Sequence, residues 1–364
     1  MNASLVVLDG REFLPGRQTG IGRFLLPLVE RVRRTPPAWR LEVVAPPGGV
    51  APDGIPIRTV GARDGWAWDL VQLPRYLQRA GARAYLTPYV KFRPVDDYPV
   101  VAVICDATEL LPEAGARGPL VRPAVRAVRR FLARRAAARI TISTWSRNEI
   151  ARLLDLPPEA FRIIPPGVAL GPRPLRPAGG QGSVLHLSNG KPHKNVERLV
   201  EAYAGLPPPL RRTHPLALAG IHADHRPAIE RALARHGLAG AARLEGHVEE
   251  AALTALYSGA SVFAFPSLAE GFGIPPLEAM ACGVPVVASR AGALPETLGD
   301  AAVLVDPRDP RELRDALAAV LTDGELRTRL VQRGRARAGE FPPERSGAAL
   351  AQVVDEVLAP GRRP

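Results

Sequence analysis

The chain has 364 residues, of which 46% are hydrophobic, and a formal net charge of +12. A single core rarely extends beyond ~250 residues, so this length predicts two domains. No apolar run approaches the roughly 20 residues of a membrane-spanning helix, which argues against an integral membrane protein. Cys105 and Cys282 lie far apart in apolar segments. They predict reduced, packed thiols in a cytoplasmic protein and not a disulfide framework.

The first half of the chain alternates short β-rich runs with helical stretches. The predicted strands are residues 4–8, 41–45, 84–87, 100–104, 139–143 and 162–165. The predicted helices between them are residues 22–34, 67–80, 118–138 and 144–154. This α/β alternation predicts a parallel sheet with helices on both of its faces.

A change of composition separates the two halves. Residues 167–182 are crowded with Gly and Pro and lack an apolar period, which predicts a linker. The alternation then resumes, with predicted strands at 183–187, 215–219, 242–245, 261–264, 284–288 and 302–305, and helices at 196–205, 226–237, 249–259, 276–282, 309–322 and 325–358. We expect an N-terminal domain of residues 1–170, a C-terminal domain of 183–340, and a last helix in 341–364 that returns to the first. Two such halves predict a ligand site in the cleft between them, at the carboxyl ends of the strands.

The excess positive charge lies wholly in the first half. Residues 1–182 contain 27 Lys+Arg and 15 Asp+Glu, a balance of +12, whereas residues 183–364 contain 21 of each. At about 100° per residue, one side of the predicted helix 118–138 carries five arginines: Arg122, Arg126, Arg129, Arg130 and Arg134. The pattern fits a solvated helix face, and also a surface for an anionic membrane or a phosphate-bearing acceptor. Nucleic acid is disfavoured, because no recognition motif accompanies the charge.

The most distinctive segment is FPSLAEGFGIPPLEAMAC, residues 265–282. A strand ends before a glycine loop that holds Glu270, and two prolines lead into a helix that contains Glu278. Proline suits a first helical turn, and glycines let the backbone amides approach an anion. Because the helix N-terminus adds partial positive charge, the segment predicts a diphosphate cradle beside two carboxylates.

Carboxylates next to phosphate make sense as acceptors for hydroxyl groups, such as those of a sugar and a ribose. The alternative is that Glu278 is simply an acid in a first helical turn and Glu270 a solvated loop residue. A metal would need further ligands, but the chain has no Asp-x-Asp pair and no His or Asp cluster near them. We therefore expect neither a metal nor a cofactor. The segment GKPHK holds Lys191 and Lys194, two of only three lysines among 48 basic residues, which indicates a need for compact point charges.

Several motifs, in order along the chain, resemble those of the family 4 glycosyltransferases with a GT-B fold. These are DGREFLPGRQTGIGRFLLPL, ISTWSRNEIARLLDLPPEAFRIIPPGV, LSNGKPHKNVERLVEAY, and EGFGIPPLE followed by AMACGVPVVAS and ALPETLGDAAVLVDP. The resemblance covers nearly the whole chain. It implies an α/β protein of two Rossmann-like domains, whose parallel sheets face a central cleft.

The resemblance also implies roles for individual residues. Glu278 matches the carboxylate that binds the donor ribose, and Glu270 the one that faces the transferred sugar. Lys194 matches the lysine that neutralises the donor diphosphate, with Lys191 as the nearest candidate for its partner cation. Further donor contacts are implied at Phe272, Gly273, Ile274, Leu277, Asn189, Gly190, His247 and Val248, and in the N-terminal glycine loop at Gly20 and Gly22.

One position departs from the family pattern. The family commonly has a His-Asp pair at the end of a strand in the N-terminal domain, and here Cys105 precedes Asp106. A buried thiol away from a cation is a poor base, so we expect Asp106 to supply the polar contact at this place.

The implied activity is that of a retaining, metal-independent hexosyltransferase that uses a nucleotide diphosphate sugar. GDP-mannose is the first expected donor, because TGIGRF resembles the mannosyltransferases, and UDP-hexoses come second. The implied acceptor is a glycan, a lipid-linked glycan or a small-molecule glycoside, used in the cytoplasm or peripherally at the inner face of the membrane.

Other activities stay open. A sugar-nucleotide epimerase or a phosphorylase would share the fold, and a non-catalytic partner subunit would explain Cys105. A dinucleotide-dependent oxidoreductase is disfavoured, because TGIGRF begins about ten residues after the first strand and lacks a third glycine at the required spacing.

Overall fold

The computed structural model describes residues 3–13, 20–48, 57–61, 65, 67–90, 98–105, 122–169 and 182–359. The chain divides into two units. The first comprises Met1–Gly167 together with Pro343–Pro364, and the second comprises Val168–Pro342. The predicted linker falls largely on residues 170–181, which lie outside the described ranges.

The sheet of the first unit is wholly parallel. Its strands are Ser4–Asp9 (β1), Trp39–Ala45 (β2), Ile57–Thr59 (β3), Ala82–Thr87 (β4), Val100–Val103 (β5), Ala138–Thr141 (β6) and Arg162–Ile163 (β7). Their order across the sheet is β3-β2-β1-β4-β5-β6-β7, so β1 and β4 are neighbours at the point where the winding reverses. The edge strand β3 was not predicted, because its three mostly exposed residues show no apolar alternation.

The first unit contains helices from its own part of the chain and a last helix that follows the second unit. The former are Gly20–Arg34 (α1), Leu73–Arg79 (α2), Arg122–Arg135 (α3) and Thr144–Leu154 (α4), with a π-helical turn at Trp68–Gln72 before α2. The predicted helix 118–138 was too long at its carboxyl end, because β6 begins at Ala138. Its first residues, 118–121, lie outside the described ranges.

The second unit repeats the doubly wound plan. Its strands are Ser183–Leu187 (β8), Leu216–Ala219 (β9), Arg243–Leu244 (β10), Ala260–Phe265 (β11), Val286–Ser289 (β12) and Val303–Val305 (β13). Their order is β10-β9-β8-β11-β12-β13, which is 3-2-1-4-5-6 when counted within the unit. All six residues of β11 are buried, as expected for a strand that is covered on both faces. The prediction of two α/β domains with parallel sheets is confirmed.

The helices of the second unit cover that sheet. They are Val196–Ala204 (α5), Pro208–Thr213 (α6), Arg226–Arg235 (α7), Glu250–Ser258 (α8), Ile274–Ala281 (α9), Leu294–Leu298 (α10), Pro310–Thr322 (α11) and Gly324–Gly339 (α12). The short helices α6 and α10 were not predicted, because five or six residues are too few to show a helical period. The predicted helix 325–358 is in fact two helices, interrupted before Pro343.

The last helix, Pro343–Leu358 (α13), belongs to the first unit. It packs along α1, and Trp39 Nε1 donates to Asp355 Oδ1 at 2.7 Å. Arg162 forms a two-oxygen ion pair with Glu356. The helix is therefore held by the core of the first unit, although it follows the second unit in the chain.

Candidate functional site

The carboxyl ends of β8 and β11 lie side by side in the second sheet, at its switch point. In doubly wound folds, ligands bind outside the strands at this place. The loop after β8 contains residues 188–195, and the loop after β11 contains residues 266–273. These two loops hold Lys194 and Glu270, so the topology brings together two predicted site residues from separate motifs.

Backbone hydrogen bonds join the two loops. Leu268 N donates to His193 O at 2.7 Å. Asn195 ends the short 3-10 turn Pro192–Lys194 in the left-handed conformation, with φ of 59°. Its side-chain amide donates to Pro266 O at 3.0 Å and to Pro307 O at 2.7 Å. The turn that carries Lys194 is therefore attached to the loop that carries Glu270.

Lys194 and Glu270 form a direct ion pair. Lys194 Nζ lies 2.6 Å from Glu270 Oε1, and the two side chains are only 16% and 12% exposed. The ammonium also lies 5.5 Å from the centre of the Phe265 ring. An ammonium has three donors, so Lys194 can bind Glu270 and an anionic ligand together.

Glycines allow the close backbone packing around Glu270. Gly292 has φ of 60°, and a Cβ at this position would lie 2.6 Å from the Glu270 carbonyl oxygen. The next amide, Ala293 N, donates to that oxygen at 2.9 Å. Gly273 has φ of 98°, and a Cβ there would meet Leu294 Cδ2 at 2.5 Å. Both positions therefore require glycine, for conformation as well as for space.

The helix α9 begins beside this pair. Gly273 is its N-cap, and Pro275 and Pro276 have no N–H. The amides of Gly273 and Ile274 are therefore the donors that this helix end can offer an anion. Among the other predicted contacts, Phe272 packs its ring against Phe341, with centroids 5.3 Å apart. Leu277 is fully buried, so its side chain packs in the core.

Glu278 lies one turn into α9 and is 5% exposed. Tyr257 OH donates to its Oε2 at 2.8 Å. This bond holds the carboxylate in a fixed orientation, and an ionised carboxylate accepts hydrogen bonds on both of its oxygens. Tyr257 had not been predicted from the sequence, since it lies in α8, 21 residues earlier in the chain.

The loop after β8 rests on a buried histidine. His186 is fully buried in β8, and Ser188 Oγ lies 2.7 Å from its Nε2. Burial lowers the pKa of His186 to about 4, with a smaller contribution in the same direction from Lys194. His186 is therefore a neutral imidazole at pH 7.

Because burial keeps His186 neutral, we expect the second unit to lose stability in acid. Between pH 6.5 and 4 the unfolded chain binds a proton at His186 that the folded chain does not, so stability falls as the pH falls. We expect the second unit to lose about 3 kcal/mol between pH 7 and pH 4 relative to His186→Gln. Urea unfolding followed by circular dichroism measures the loss. All four tryptophans lie in the first unit, so their fluorescence reports that unit separately. If the stability of the wild type and that of His186→Gln fall equally between pH 7 and pH 4, the prediction is contradicted.

The remaining predicted contacts of the second unit lie in exposed loops. Lys191 is exposed, and its amide donates to Asn189 Oδ1 at 3.2 Å. His247 and Val248 follow β10, where His247 is 57% exposed. Gly190 and Lys191 also border a cleft of about 360 Å³ between α5 and α7. That cleft is a separate surface from the Lys194–Glu270 pair, and its charged side chains pair with one another, as Arg198 does with Glu201.

Two predicted residues of the first unit begin its first helix. Gly20 is the exposed first residue of α1, and Gly22, two residues later, is buried. A Cβ on Gly22 would lie 3.0 Å from the Glu12 carbonyl oxygen, so the start of α1 packs closely on the turn that follows β1. Asp106 lies outside the described residues, and the preceding Cys105 is partly exposed.

A buried ionic network, which the sequence did not predict, lies at the end of β1. Arg11 donates to both oxygens of Asp9, from Nε at 3.0 Å and from Nη2 at 2.7 Å. Its Nη1 lies 2.8 Å from Asp69 Oδ1. The guanidinium carbon lies 4.3 Å from the ring centre of Trp68 and 4.5 Å from that of Tyr89. Asp9 and Arg11 both belong to the motif DGRE, but no sequence pattern indicates that they lie close to Asp69.

The network is closed by hydroxyl groups from β4 and the residues after it. Tyr85 OH and Thr87 Oγ1 donate to Asp9 Oδ2 at 2.9 and 3.2 Å, and Tyr89 OH donates to Glu12. Burial by itself lowers the pKa of Arg11, but the carboxylates, Asp9 above all, outweigh it and raise that pKa overall. Arg11 therefore carries a permanent charge at the switch point of the first sheet.

The described part of the chain offers neither a metal site nor a membrane span. It contains no group of three or more His, Cys, Asp or Glu residues placed to hold a metal ion. Within the same ranges, no helix is both long enough and apolar enough to cross a membrane.

Two doubly wound parallel sheets, one with a lysine, a helix N-terminus and two glutamates at its switch point, define a two-domain α/β class. Sucrose-phosphate synthase from Thermosynechococcus elongatus has the same fold, with a TM-score of 0.81 and 21% identity over 97% of this chain and 99% of that one. The sequence profile described as "Glycosyl transferases group 1" matches residues 172–337.

Curated relatives extend this match. Glycogen synthase of Mycobacterium tuberculosis is 31% identical over 320 residues, which is 85% of this chain and 74% of that protein. O-antigen chain mannosyltransferase B of Escherichia coli is 36% identical over 215 residues, 56% of each chain. The chain thus spans about half the length of this second relative. It belongs to the group 1 glycosyltransferases, and the predicted family and GT-B fold are confirmed.

Proposed function

We propose that the chain is a retaining hexosyltransferase, which moves a hexose from a nucleotide diphosphate sugar to an acceptor hydroxyl. The observation that carries the proposal is the Lys194–Glu270 pair at the switch point, beside the N-terminus of α9 at Gly273 and Ile274. GDP-mannose is the first proposed donor and a UDP-hexose the second. The similarity to a mannosyltransferase of O-antigen chains supports mannose, and a surface polysaccharide as the product.

In the proposed reaction, the bond between the anomeric carbon and the diphosphate oxygen breaks as charge builds on the leaving diphosphate. Lys194 and the amides of Gly273 and Ile274 stabilise that charge, and Lys191 adds a second cation at the loop. The acceptor hydroxyl attacks from the same face of the sugar and gives its proton to the departing phosphate oxygen. No side chain acts as a nucleophile in this scheme, and no divalent metal takes part.

The two glutamates orient the donor. Glu270 accepts hydrogen bonds from hydroxyls of the transferred sugar, while its charge is balanced by Lys194. Glu278 accepts from the ribose hydroxyls, with its carboxylate oriented by Tyr257. Hydroxyl recognition of this kind is selective, because a donor without the hydroxyl would lose a hydrogen bond to a charged acceptor.

For the acceptor we propose a lipid-linked glycan, used at the inner face of an anionic membrane. Support comes from the exposed side of α3, where Val128 is 57% exposed and Phe131 is 52% exposed. Arg134 and Arg135 are exposed beside them. Apolar side chains flanked by arginines suit the boundary between lipid headgroups and acyl chains. Flotation with anionic and zwitterionic liposomes tests this, and no binding to anionic vesicles at moderate salt favours an acceptor in solution.

A donor screen by thermal shift tests the central proposal. A ligand at about 100 times its Kd stabilises the folded protein by ~2.7 kcal/mol, so GDP-mannose or a UDP-hexose should raise the melting temperature. No shift with any nucleotide sugar contradicts the proposal. Detection of a glycosylated acceptor separates it from an epimerase or phosphorylase, which would alter the free sugar nucleotide. An inverted anomeric configuration, or loss of activity with excess chelator, would contradict the retaining, metal-independent mechanism.

A further inference from the structure

A chain of three hydrogen bonds runs from the sheet of the second unit into the loop after β8. The Nδ1 atom of the buried His186 lies 2.9 Å from the Ala264 carbonyl oxygen in β11. Its Nε2 atom lies 2.7 Å from Ser188 Oγ. Ser188 Oγ in turn lies 3.2 Å from the amide nitrogen of Gly190.

The direction of each bond follows from the chemistry of its groups. A carbonyl oxygen only accepts, so His186 Nδ1 carries the proton that is donated to Ala264. In the neutral imidazole the other nitrogen is then an acceptor, and the Ser188 hydroxyl donates to it. A lone pair of Ser188 Oγ accepts the Gly190 N–H. Burial keeps His186 neutral, so this direction is stable at physiological pH.

His186 also contacts the second loop of the site. Its ring stacks on Phe265, with centroids 6.0 Å apart and an angle of 27° between the rings. Phe265 is the last residue of β11, and Lys194 Nζ lies 5.5 Å from the centre of its ring. The imidazole therefore touches the bases of both loops that carry the candidate site.

We infer that His186 is a positioning residue for the loop 188–191, which it orders by holding the Ser188 hydroxyl in one orientation. Through Ser188 it fixes the amide of Gly190 and so the path of the backbone to Lys191. The inference rests on the proposed function, because the ligand of this loop is the proposed nucleotide sugar. His186 itself is buried and does not touch the donor.

Two substitutions separate the two bonds of the imidazole. The amide of Asn at position 186 occupies the place of Nδ1 and can donate to Ala264, but it does not reach Ser188. The longer Gln reaches Ser188 in place of Nε2. Ser188→Ala removes the hydroxyl itself. His214→Asn is a matched control, because His214 is a second buried histidine of this unit whose Nδ1 lies 2.9 Å from a carbonyl oxygen, that of Gly182.

The first readout is kinetic, with GDP-mannose as the donor. We expect His186→Asn and Ser188→Ala each to raise KM about fivefold, the effect of one neutral hydrogen bond, with kcat within twofold of wild type. The double variant should be no worse than either single variant, because both break the same chain of bonds. His186→Gln should restore most of the donor affinity, and His214→Asn should leave KM unchanged.

The second readout needs no donor. Amide hydrogen exchange of residues 188–191 in the full chain should be about fivefold faster in His186→Asn and Ser188→Ala, and close to wild type in His186→Gln. Unchanged exchange in the first two variants, or additive effects in the double variant, overturns the inference. If the wild type binds no nucleotide sugar, the proposed function fails, and the exchange data still decide whether His186 orders the loop.

Discussion

Lys194→Ala lowers kcat/KM for the nucleotide sugar by about 10²–10³-fold, as expected when a preorganised group at the developing charge is removed. The Lys194 side chain is 16% exposed and its ammonium lies 2.6 Å from Glu270, so the charge acts where water screens it little. Its loss removes the cation from the leaving diphosphate and leaves the Glu270 carboxylate to repel that diphosphate. Initial rates with GDP-mannose measure the effect.

Three further variants make this prediction specific. Lys194→Arg keeps the charge but changes its shape, and we expect an intermediate loss. Lys191→Ala removes an exposed lysine and should cost less than Lys194→Ala. Arg290→Met removes an exposed cation that pairs with Glu312 and should leave the rate unchanged. A rate for Lys194→Ala within threefold of wild type would refute the role of this lysine.

A double variant separates stability from catalysis. Lys194→Ala alone leaves a nearly buried carboxylate without its ion pair, which destabilises the fold. Adding Glu270→Gln removes that unpaired charge, so part of the lost stability should return. The turnover should not return, because the cation for the diphosphate is still absent. If turnover recovers along with stability, the pair has only a structural role.

Arg11→Met is expected to lower the free energy of unfolding of the first unit by about 3–5 kcal/mol. Arg11 is 3% exposed and neutralises Asp9, which is fully buried. Without the guanidinium, Asp9 keeps its hydroxyl donors Tyr85 and Thr87 but loses its bound positive charge. Asp69 loses the same partner. Buried carboxylates of this kind are far more costly than exposed ones.

Tryptophan fluorescence during urea unfolding measures this change in the first unit alone, because the second unit has no tryptophan. Arg11→Lys keeps the charge but loses the two-oxygen contact with Asp9, so its loss should be smaller. Arg152→Met breaks an exposed pair with Glu149 and should cost less than about 1 kcal/mol. Equal effects of Arg11→Met and Arg152→Met would show that the network contributes no more than a surface pair.

In each unit, polar and charged side chains gather at the switch point of the sheet. In the first sheet, Asp9 and Thr87 end the neighbouring strands β1 and β4. In the second sheet, β8 and β11 lead directly into the loops of Lys194 and Glu270. The first network is closed on itself by its own hydroxyl groups, whereas Lys194 retains donors for a ligand. This difference supports our assignment of donor binding to the second unit.

Local patterns predicted most elements well. The strand 183–187 and the helix 144–154 have the predicted bounds, because apolar runs and flanking cap residues are properties of adjacent positions. The glycine loop predicted before α9 is also observed, where Gly273 adopts a left-handed conformation. Short elements such as α6 and α10 escaped prediction, because tertiary packing alone stabilises helices of five or six residues.

The sequence by itself determined the α/β alternation, the division into two halves and the identity of Glu270, Glu278 and Lys194 as site candidates. Only the tertiary structure decided which groups meet. Lys194 and Glu270 are 76 residues apart, and their contact depends on β8 and β11 being neighbours in the sheet. The Arg11–Asp69 contact and the His186 hydrogen bond to Ala264 likewise arise from strand order and side-chain packing. Such contacts leave no period in the sequence, because they join residues that only the sheet brings together.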